Sequence, residues 1–382
     1  MTRVGRRGVT MAVVAMVALG LGTLLSVLLS DSKTSPRASA PAPSAASSPA
    51  AAPAPGPRSP AAIAARLPAP QLIAQLFVVG VRGTTAPSRG TLRSLRAHGW
   101  GGVVLTPANW AGARGTRRLT ARLAAGLRSA HRLPLLVGAS AGVPGVGIAR
   151  GTRAAAARRR TAAAGRALRA AGVNLVLGPD ADVGTVGAPL EGHAVADTPG
   201  SVAKVVGAAV NGYRRSRTIA AVGHFPGQGA AAGDPNSQPA EVGSSMGDLR
   251  ARDLRPFAAV ARTASVVVAS NAIYAAFDGA TPAVLLPQAI NALLRRSLGF
   301  RGVVMSDDLT SASITNHTDV GSTAVAALHA GADLLYLPGT GAQNRAYAAV
   351  LSAWQHGQVS TALLRQAATP VLALKRAYGL LH

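Results

Sequence analysis

Eight short apolar runs alternate with longer segments of helical character, and this alternation limits the folds open to the chain. The runs are rich in Val, Leu and Ile and cover 76–81, 102–105, 135–138, 173–177, 219–222, 265–269, 302–305 and 334–337. Most of the intervals contain a helix-like segment, such as 116–130, 152–171, 202–214 and 287–298. Eight strand-helix units in one continuous region predict an α/β fold, a TIM-type (β/α)8 barrel.

An open, doubly wound parallel sheet is the alternative to a closed barrel. That fold commonly carries a Gly-x-Gly-x-x-Gly phosphate loop after its first strand, and no such motif follows the run at 76–81. In a barrel, functional side chains lie just after the carboxyl ends of the strands. Candidate site residues are therefore sought there.

The N-terminus predicts export. Arg3, Arg6 and Arg7 precede an uninterrupted apolar stretch from Met11 to Leu29, which is long enough to span a bilayer. We expect residues 1–30 to be an uncleaved signal anchor in the membrane, with the rest of the chain extracytoplasmic; cleavage near 38–40 is the alternative. Residues 31–65, rich in Pro, Ala and Ser, predict a disordered linker, and 66–382 the barrel domain.

Composition excludes several classes of function. The net charge is +25 and nearly all of it comes from arginine, but the arginines are scattered without interleaved aromatic residues, so no nucleic-acid partner is expected. The chain has no cysteine, which excludes disulfides, thiolate zinc sites and a cysteine nucleophile.

Two predicted strands end in polar groups that could carry chemistry. The fifth is followed by a Pro/Gly-rich loop that begins with His224, and the seventh by Asp307. Asp307 fits either a catalytic carboxylate or the N-cap of a helix. Carboxylates are scarce, since the chain has only two glutamates, Glu191 and Glu241, so a mechanism with two carboxylates has few candidates.

Several segments carry a family resemblance. The loop at 221–238 is similar to the Lys-His-Phe-Pro-Gly-His-Gly…Asp-Ser-His loop of family 3 glycoside hydrolases, especially bacterial β-N-acetylglucosaminidases, and 298–309 resembles the nucleophile motif of that family. Segments at 172–183, 275–282 and 330–333 resemble further family motifs in the same order. The resemblance covers about 71–381 and implies a (β/α)8 barrel.

The resemblance also implies a chemistry. It predicts a retaining glycosidase without a cofactor, acting on carbohydrate with β-linked N-acetylglucosamine, such as wall glycan. Asp307 then corresponds to the nucleophile, and the proton donor is the histidine of the Asp-Ser-His loop, oriented by its aspartate, which corresponds to Asp234. We expect His224, His193, Asn236 and Ser140 to occupy positions that contact the sugar.

This sequence departs from the family pattern at several of those positions. The donor histidine is replaced by Asn236, whose amide cannot exchange a proton near neutral pH, and the sugar-binding lysine before His224 is replaced by Gly223. Further replacements lie at Gln228, Ser140, His193 and Asn271.

Three hypotheses follow. The chain is a β-N-acetylhexosaminidase in which Asp234, His193 or Glu241 replaces the lost proton donor, or it is a pseudoenzyme that binds wall glycan or a partner. A metal hydrolase built on His193, His224 and Asp307 lacks the paired histidine spacing of zinc sites, so no metal is expected.

Overall fold

The computed structural model describes residues 59–316, 318–339 and 341–381. Eight strands form a closed parallel barrel, and each overlaps one of the eight predicted apolar runs. In chain order they are Phe77–Gly80, Gly102–Leu105, Leu136–Ala139, Leu175–Asp180, Ile219–Phe225, Val266–Ala269, Val303–Asp308 and Leu334–Leu337. The predicted TIM-type barrel is confirmed.

Closure depends on the first strand, which pairs with the second strand on one side and with the eighth strand on the other. Val78 lies opposite Gly102 of the second strand, and Phe77 lies opposite Leu335 of the eighth. All barrel pairings are parallel. An open doubly wound sheet is therefore excluded.

Helices surround the barrel. Their termini follow ordinary capping rules: Thr198, for example, accepts a hydrogen bond from the Ser201 amide and precedes Pro199 at the first helical position. The α-helices are Pro60–Arg66, Ala69–Ala74, Arg89–His98, Gly112–Arg128, Ala154–Ala170, Pro199–Arg215, Met246–Asp248, Leu254–Val260, Ala312–Thr315, Val320–Ala330, Ala342–Gln355 and Thr361–Ala377. Leu249–Asp253 and Gln288–Ser297 are π-helical.

Short elements complete the loops. Three 3-10 turns cover Pro107–Asn109, Glu191–His193 and Ala283–Leu285. Two-residue strands Glu241–Val242 and Ile273–Tyr274 pair with each other beside the barrel.

The barrel interior is filled by alternate strand side chains, including Val78, Val104 and Leu136. Val371 and Leu374, from the last helix, join this cluster and close one end of the barrel. Lys375 is buried beside them, and its Nζ donates a hydrogen bond to Oε1 of Gln75 over 2.6 Å. Gln75 lies before the first strand, so this helix closes the end opposite the strand carboxyl termini.

The folded domain begins earlier than predicted. Pro60–Arg66 is helical, begins at the N-cap Ser59 and contains the buried Ala64, although the linker was predicted to continue to residue 65. A short apolar segment that packs against the domain can be helical despite its Pro/Ala composition. The predicted anchor at 1–30 and the linker up to 58 lie outside the described residues. Within the described part of the chain, no helix has the length and hydrophobicity needed to cross a membrane.

Candidate active site

Asp307 lies at the barrel mouth, at the carboxyl end of the seventh strand. Its Oδ1 accepts a hydrogen bond from the Asp308 amide over 2.8 Å, and its side chain is 13% exposed. The N-cap of the following helix, Ala312–Thr315, is Ser311. Asp307 therefore does not cap this helix, and a partly exposed carboxylate is available at the mouth.

His224 is the penultimate residue of the fifth strand and lies next to this carboxylate. Its Nε2 lies 4.0 Å from Oδ2 of Asp307, and its Nδ1 lies 2.9 Å from Oδ2 of Asp182. The other oxygen of Asp182 accepts hydrogen bonds from the backbone amides of His224 and Gln228, over 3.3 and 2.8 Å. Asp182 thus fixes the imidazole ring with its second nitrogen directed at Asp307.

The electrostatic balance favours a cationic His224. Burial by itself lowers the pKa of His224. The carboxylates of Asp307, Asp182 and Asp180 raise the pKa by more than burial lowers it, so that it reaches about 10. The imidazole is therefore protonated at neutral pH. A cation beside Asp307 gives that carboxylate a favourable electrostatic partner.

Asp180 is a site residue that the sequence analysis missed. It is the last residue of the fourth strand, opposite Gly223 of the fifth, and it is partly exposed. One oxygen each of Asp180 and Asp182 and a ring nitrogen of His224 all lie within 4.8 Å of one another. Its position at a strand end, two residues before Asp182, was the available signal.

Asp180 has an unusual protonation equilibrium. Burial raises the pKa of Asp180 to about 6, with Asp182 and Asp307 adding to the rise while His224 and His193 oppose it. Among the described residues, no group donates a hydrogen bond to its side chain.

The loop that replaces the family's proton-donor segment is held near the strand that carries Asp307. Oδ1 of Asp234 accepts hydrogen bonds from the backbone and side-chain nitrogens of Asn236, over 2.9 and 3.0 Å. The carbonyls of Pro235 and Asn236 accept from the amides of Ser313 and Ala312, just after the seventh strand. The structure therefore keeps this loop beside the mouth, with Asn236 exposed and Asp234 half-buried.

The remaining predicted residues contribute less direct contacts. His193 is exposed in its 3-10 turn, yet its charge acts on Asp180. Ser140 is half-buried after the third strand, and its Oγ donates to the carbonyl of Ala141 over 3.3 Å. Glu241 is exposed in a short strand. Within the described ranges, no hydrogen bond joins these three residues to Asp307 or His224.

Two replaced family positions have structural partners. Nδ2 of Asn271 donates to the Asp308 carbonyl over 2.6 Å and to Oγ of Ser311 over 2.9 Å, so it supports the loop after Asp307. Oε1 of Gln228 accepts from Oγ of Ser270 over 2.9 Å, and the backbone amide of Gln228 donates to Oδ1 of Asp182 over 2.8 Å. Both side chains therefore stabilise the mouth.

Asp180, Asp182 and His224 have the spacing of a cation site. In the described structure Nδ1 of His224 is paired with Oδ2 of Asp182, so the contact present is that between an imidazole and a carboxylate.

A partly exposed carboxylate held beside a histidine cation at a barrel mouth is a suitable site for nucleophilic catalysis. The sequence profile of the glycosyl hydrolase family 3 N terminal domain matches residues 71–374. The chain belongs to glycoside hydrolase family 3.

Individual family 3 proteins agree with this assignment. A beta-hexosaminidase of Xanthomonas oryzae pv. oryzae is 30% identical over 283 residues, which cover 68% of this chain and 82% of that protein. A beta-hexosaminidase of Methylococcus capsulatus is 33% identical over 203 residues, which cover 53% of this chain and 60% of the relative. The chain thus spans less than two thirds of the length of that protein.

A solved structure has the same architecture. The family 3 beta-N-acetylglucosaminidase from Paenibacillus sp. str. FPU-7 superposes with a TM-score of 0.78 at 28% identity, covering 82% of this chain and 63% of that one.

Proposed function

We propose that this family 3 protein is a retaining glycosidase of the β-N-acetylhexosaminidase type. The observation that carries the proposal is the approach of Nε2 of His224 to within 4.0 Å of Asp307. The relatives named above are called beta-hexosaminidases and a beta-N-acetylglucosaminidase, which supports β-linked N-acetylglucosamine as the substrate class.

In this mechanism Asp307 attacks the anomeric carbon of the sugar and forms a covalent glycosyl-enzyme, which water then hydrolyses. The His224 cation lies beside Asp307, and Asp182 holds the imidazole in position. The leaving oxygen must gain a proton in the first step. Because Asn236 stands where the family has a histidine donor, we infer slower cleavage of substrates with poor leaving groups.

The test uses the full-length chain with 2,4-dinitrophenyl N-acetyl-β-glucosaminide, whose leaving group needs little protonation. Asp307→Asn should reduce release by more than about three powers of ten, since it removes the nucleophile. Asp248→Asn is the matched control, because Asp248 is an exposed aspartate in a short helix, where its side chain bonds to the N-cap Ser245. Equal rates for wild type and Asp307→Asn would contradict the proposal.

A binding module without hydrolysis is the second candidate. The loss of the donor histidine at Asn236 and of the lysine at Gly223 favours it. In that case the folded wild type would release no dinitrophenol, and Asp307→Asn would bind an oligomer of N-acetylglucosamine with unchanged affinity.

We also propose that the barrel works outside the cytoplasm, attached to the membrane by residues 1–30. The basic residues before the apolar stretch support this orientation. Cell fractionation and N-terminal sequencing of the mature protein test it. A soluble protein that starts after residue 38 would indicate cleavage, and a protein that stays in the cytoplasm would contradict export.

A further inference from the structure

The reaction proposed above lacks a proton donor, and the structure offers a carboxyl group that the family motif does not supply. We propose that Asp180 is the general acid and base of this site. This inference rests on the proposed glycosidase function. It assigns a catalytic role to the end of the fourth strand.

The position of Asp180 carries the proposal. It lies at the carboxyl end of a barrel strand, and one of its oxygens lies within 4.8 Å of a ring nitrogen of His224, whose Nε2 approaches Asp307. Asp180 and Asp307 therefore adjoin the same imidazole. In most retaining glycosidases two carboxyl groups act at one mouth, and few of the carboxyl groups in the described part of this chain are placed there.

Asp182 is closer to His224 but is already engaged. Both of its oxygens accept hydrogen bonds, and it is 6% exposed. Asp180 is partly exposed and, within the described ranges, accepts no hydrogen bond. A carboxyl group without hydrogen-bond partners can turn towards a glycosidic oxygen, whereas both oxygens of Asp182 are held by the imidazole and two backbone amides.

The residue opposite Asp180 supports the assignment. Asp180 is in register with Gly223, where the family resemblance places a lysine. A lysine on this rung would bring an ammonium group to the mouth and favour the ionised form of a nearby carboxyl group. Glycine brings none, so Asp180 can be protonated.

The charges around Asp180 suit a proton donor. Burial raises its pKa to about 6. His224 and His193 oppose the rise, and Asp182 and Asp307 add to it. A carboxyl group with a pKa near the working pH can both give and regain a proton.

Formation and hydrolysis of the glycosyl-enzyme both conserve atoms and charge. Asp307 bonds to the anomeric carbon while the bond from that carbon to the leaving oxygen breaks, and the proton of Asp180 passes to that oxygen. A water oxygen then bonds to the anomeric carbon and releases Asp307, and the Asp180 carboxylate takes the proton from water. No oxidant, reductant or further reactant is needed.

The experiment compares full-length wild type and Asp180→Asn on two substrates, the 2,4-dinitrophenyl glycoside and chitobiose, whose sugar leaving group needs protonation. Asp180→Asn should lower kcat/KM for chitobiose by about 10²- to 10⁴-fold and for the dinitrophenyl glycoside by less than about tenfold. Activity on the activated substrate also reports that the variant is folded. Azide should speed turnover of that substrate in Asp180→Asn and yield the β-glycosyl azide.

A pH profile gives a second readout. Wild-type kcat/KM for chitobiose should fall as the pH rises past about 6, as Asp180 loses its proton. The residual kcat/KM of Asp180→Asn should not show this fall with rising pH. Asp234→Asn and Glu241→Gln are measured alongside, because the sequence alone offers Asp234 and Glu241, together with His193, as the other candidates for the proton donor.

The outcomes separate the two proposals. If the folded wild type does not hydrolyse the dinitrophenyl glycoside, the glycosidase function is overturned, and with it the role of Asp180. An active wild type with equal losses on both substrates in Asp180→Asn would overturn the acid/base role alone. The acid/base role of Asp180 would also be overturned if Asp234→Asn lost activity on chitobiose alone while Asp180→Asn kept wild-type activity.

Discussion

Nδ1 of His224 lies 2.9 Å from Oδ2 of Asp182, and this contact joins the fifth strand to the loop that follows the fourth. Asp182 also binds the backbone amide of His224, so both the ring and its strand end are fixed by one carboxylate. This contact directs Nε2 towards Asp307.

The first prediction concerns this contact. In Asp182→Asn the pKa of His224 should fall from about 10 towards its ordinary value of 6.5, because a neutral amide no longer stabilises the imidazolium. NMR titration of histidine ring protons measures it, with His224→Gln to assign the signal. Asp248→Asn should leave the titration unchanged. An unchanged titration midpoint of His224 in Asp182→Asn would show that Asp182 does not determine the charge of the His224 imidazole.

The second prediction concerns Lys375, buried at the opposite end of the barrel. Burial lowers its pKa from 10.5 to about 7. Between these values the unfolded chain binds more protons than the folded one, so Lys375 makes the free energy of unfolding rise with pH from about 7 to about 10.5. Denaturant titrations of wild type and Lys375→Met across this range measure the contribution.

The difference in unfolding free energy between wild type and Lys375→Met should shift in favour of wild type as the pH rises. Lys204→Met is the control, because Lys204 is exposed on a helix. A difference that stays constant with pH would mean that Lys375 remains charged in the fold.

The third prediction concerns close packing of the helices Ala154–Ala170 and Pro199–Arg215. A methyl group on Gly212 would collide with the Thr161 side chain and the Arg158 carbonyl. Gly212→Ala should therefore destabilise the protein by about 1–3 kcal/mol. Gly207, on the same helix, has open space around it, so Gly207→Ala should stabilise by about 0.5–1 kcal/mol. Denaturant unfolding tests both, and similar effects of the two changes would refute the packing argument.

The fourth prediction concerns the replaced donor position. Asn236 is exposed and contacts Asp234, so a histidine there should receive the same orienting carboxylate. Asn236→His should raise kcat/KM for chitobiose by about tenfold or more. It should also restore activity to Asp180→Asn. A double variant no faster than Asp180→Asn would show that the loop does not place this position at the leaving oxygen.

The barrel was predictable because the signal for each strand is local. A buried parallel strand reads as a short apolar run, and all eight runs became barrel strands. The strand ends were less predictable. The fourth, fifth and seventh strands continue to Asp180, Phe225 and Asp308, beyond the apolar runs. Backbone pairing continues there while the side chains become polar, so hydrophobicity underestimates strand length where the site lies.

The sequence by itself determined the barrel class, the family and the positions of Asp307 and His224 at strand ends, since these depend on local patterns and motifs. Tertiary structure decided which groups meet. Asp180, Asp182, His224 and Asp307 come from segments far apart in the chain, and barrel closure brings them to one mouth. The charge on His224 and the raised pKa of Asp180 depend on burial and neighbouring charges, which exist only once the barrel has closed.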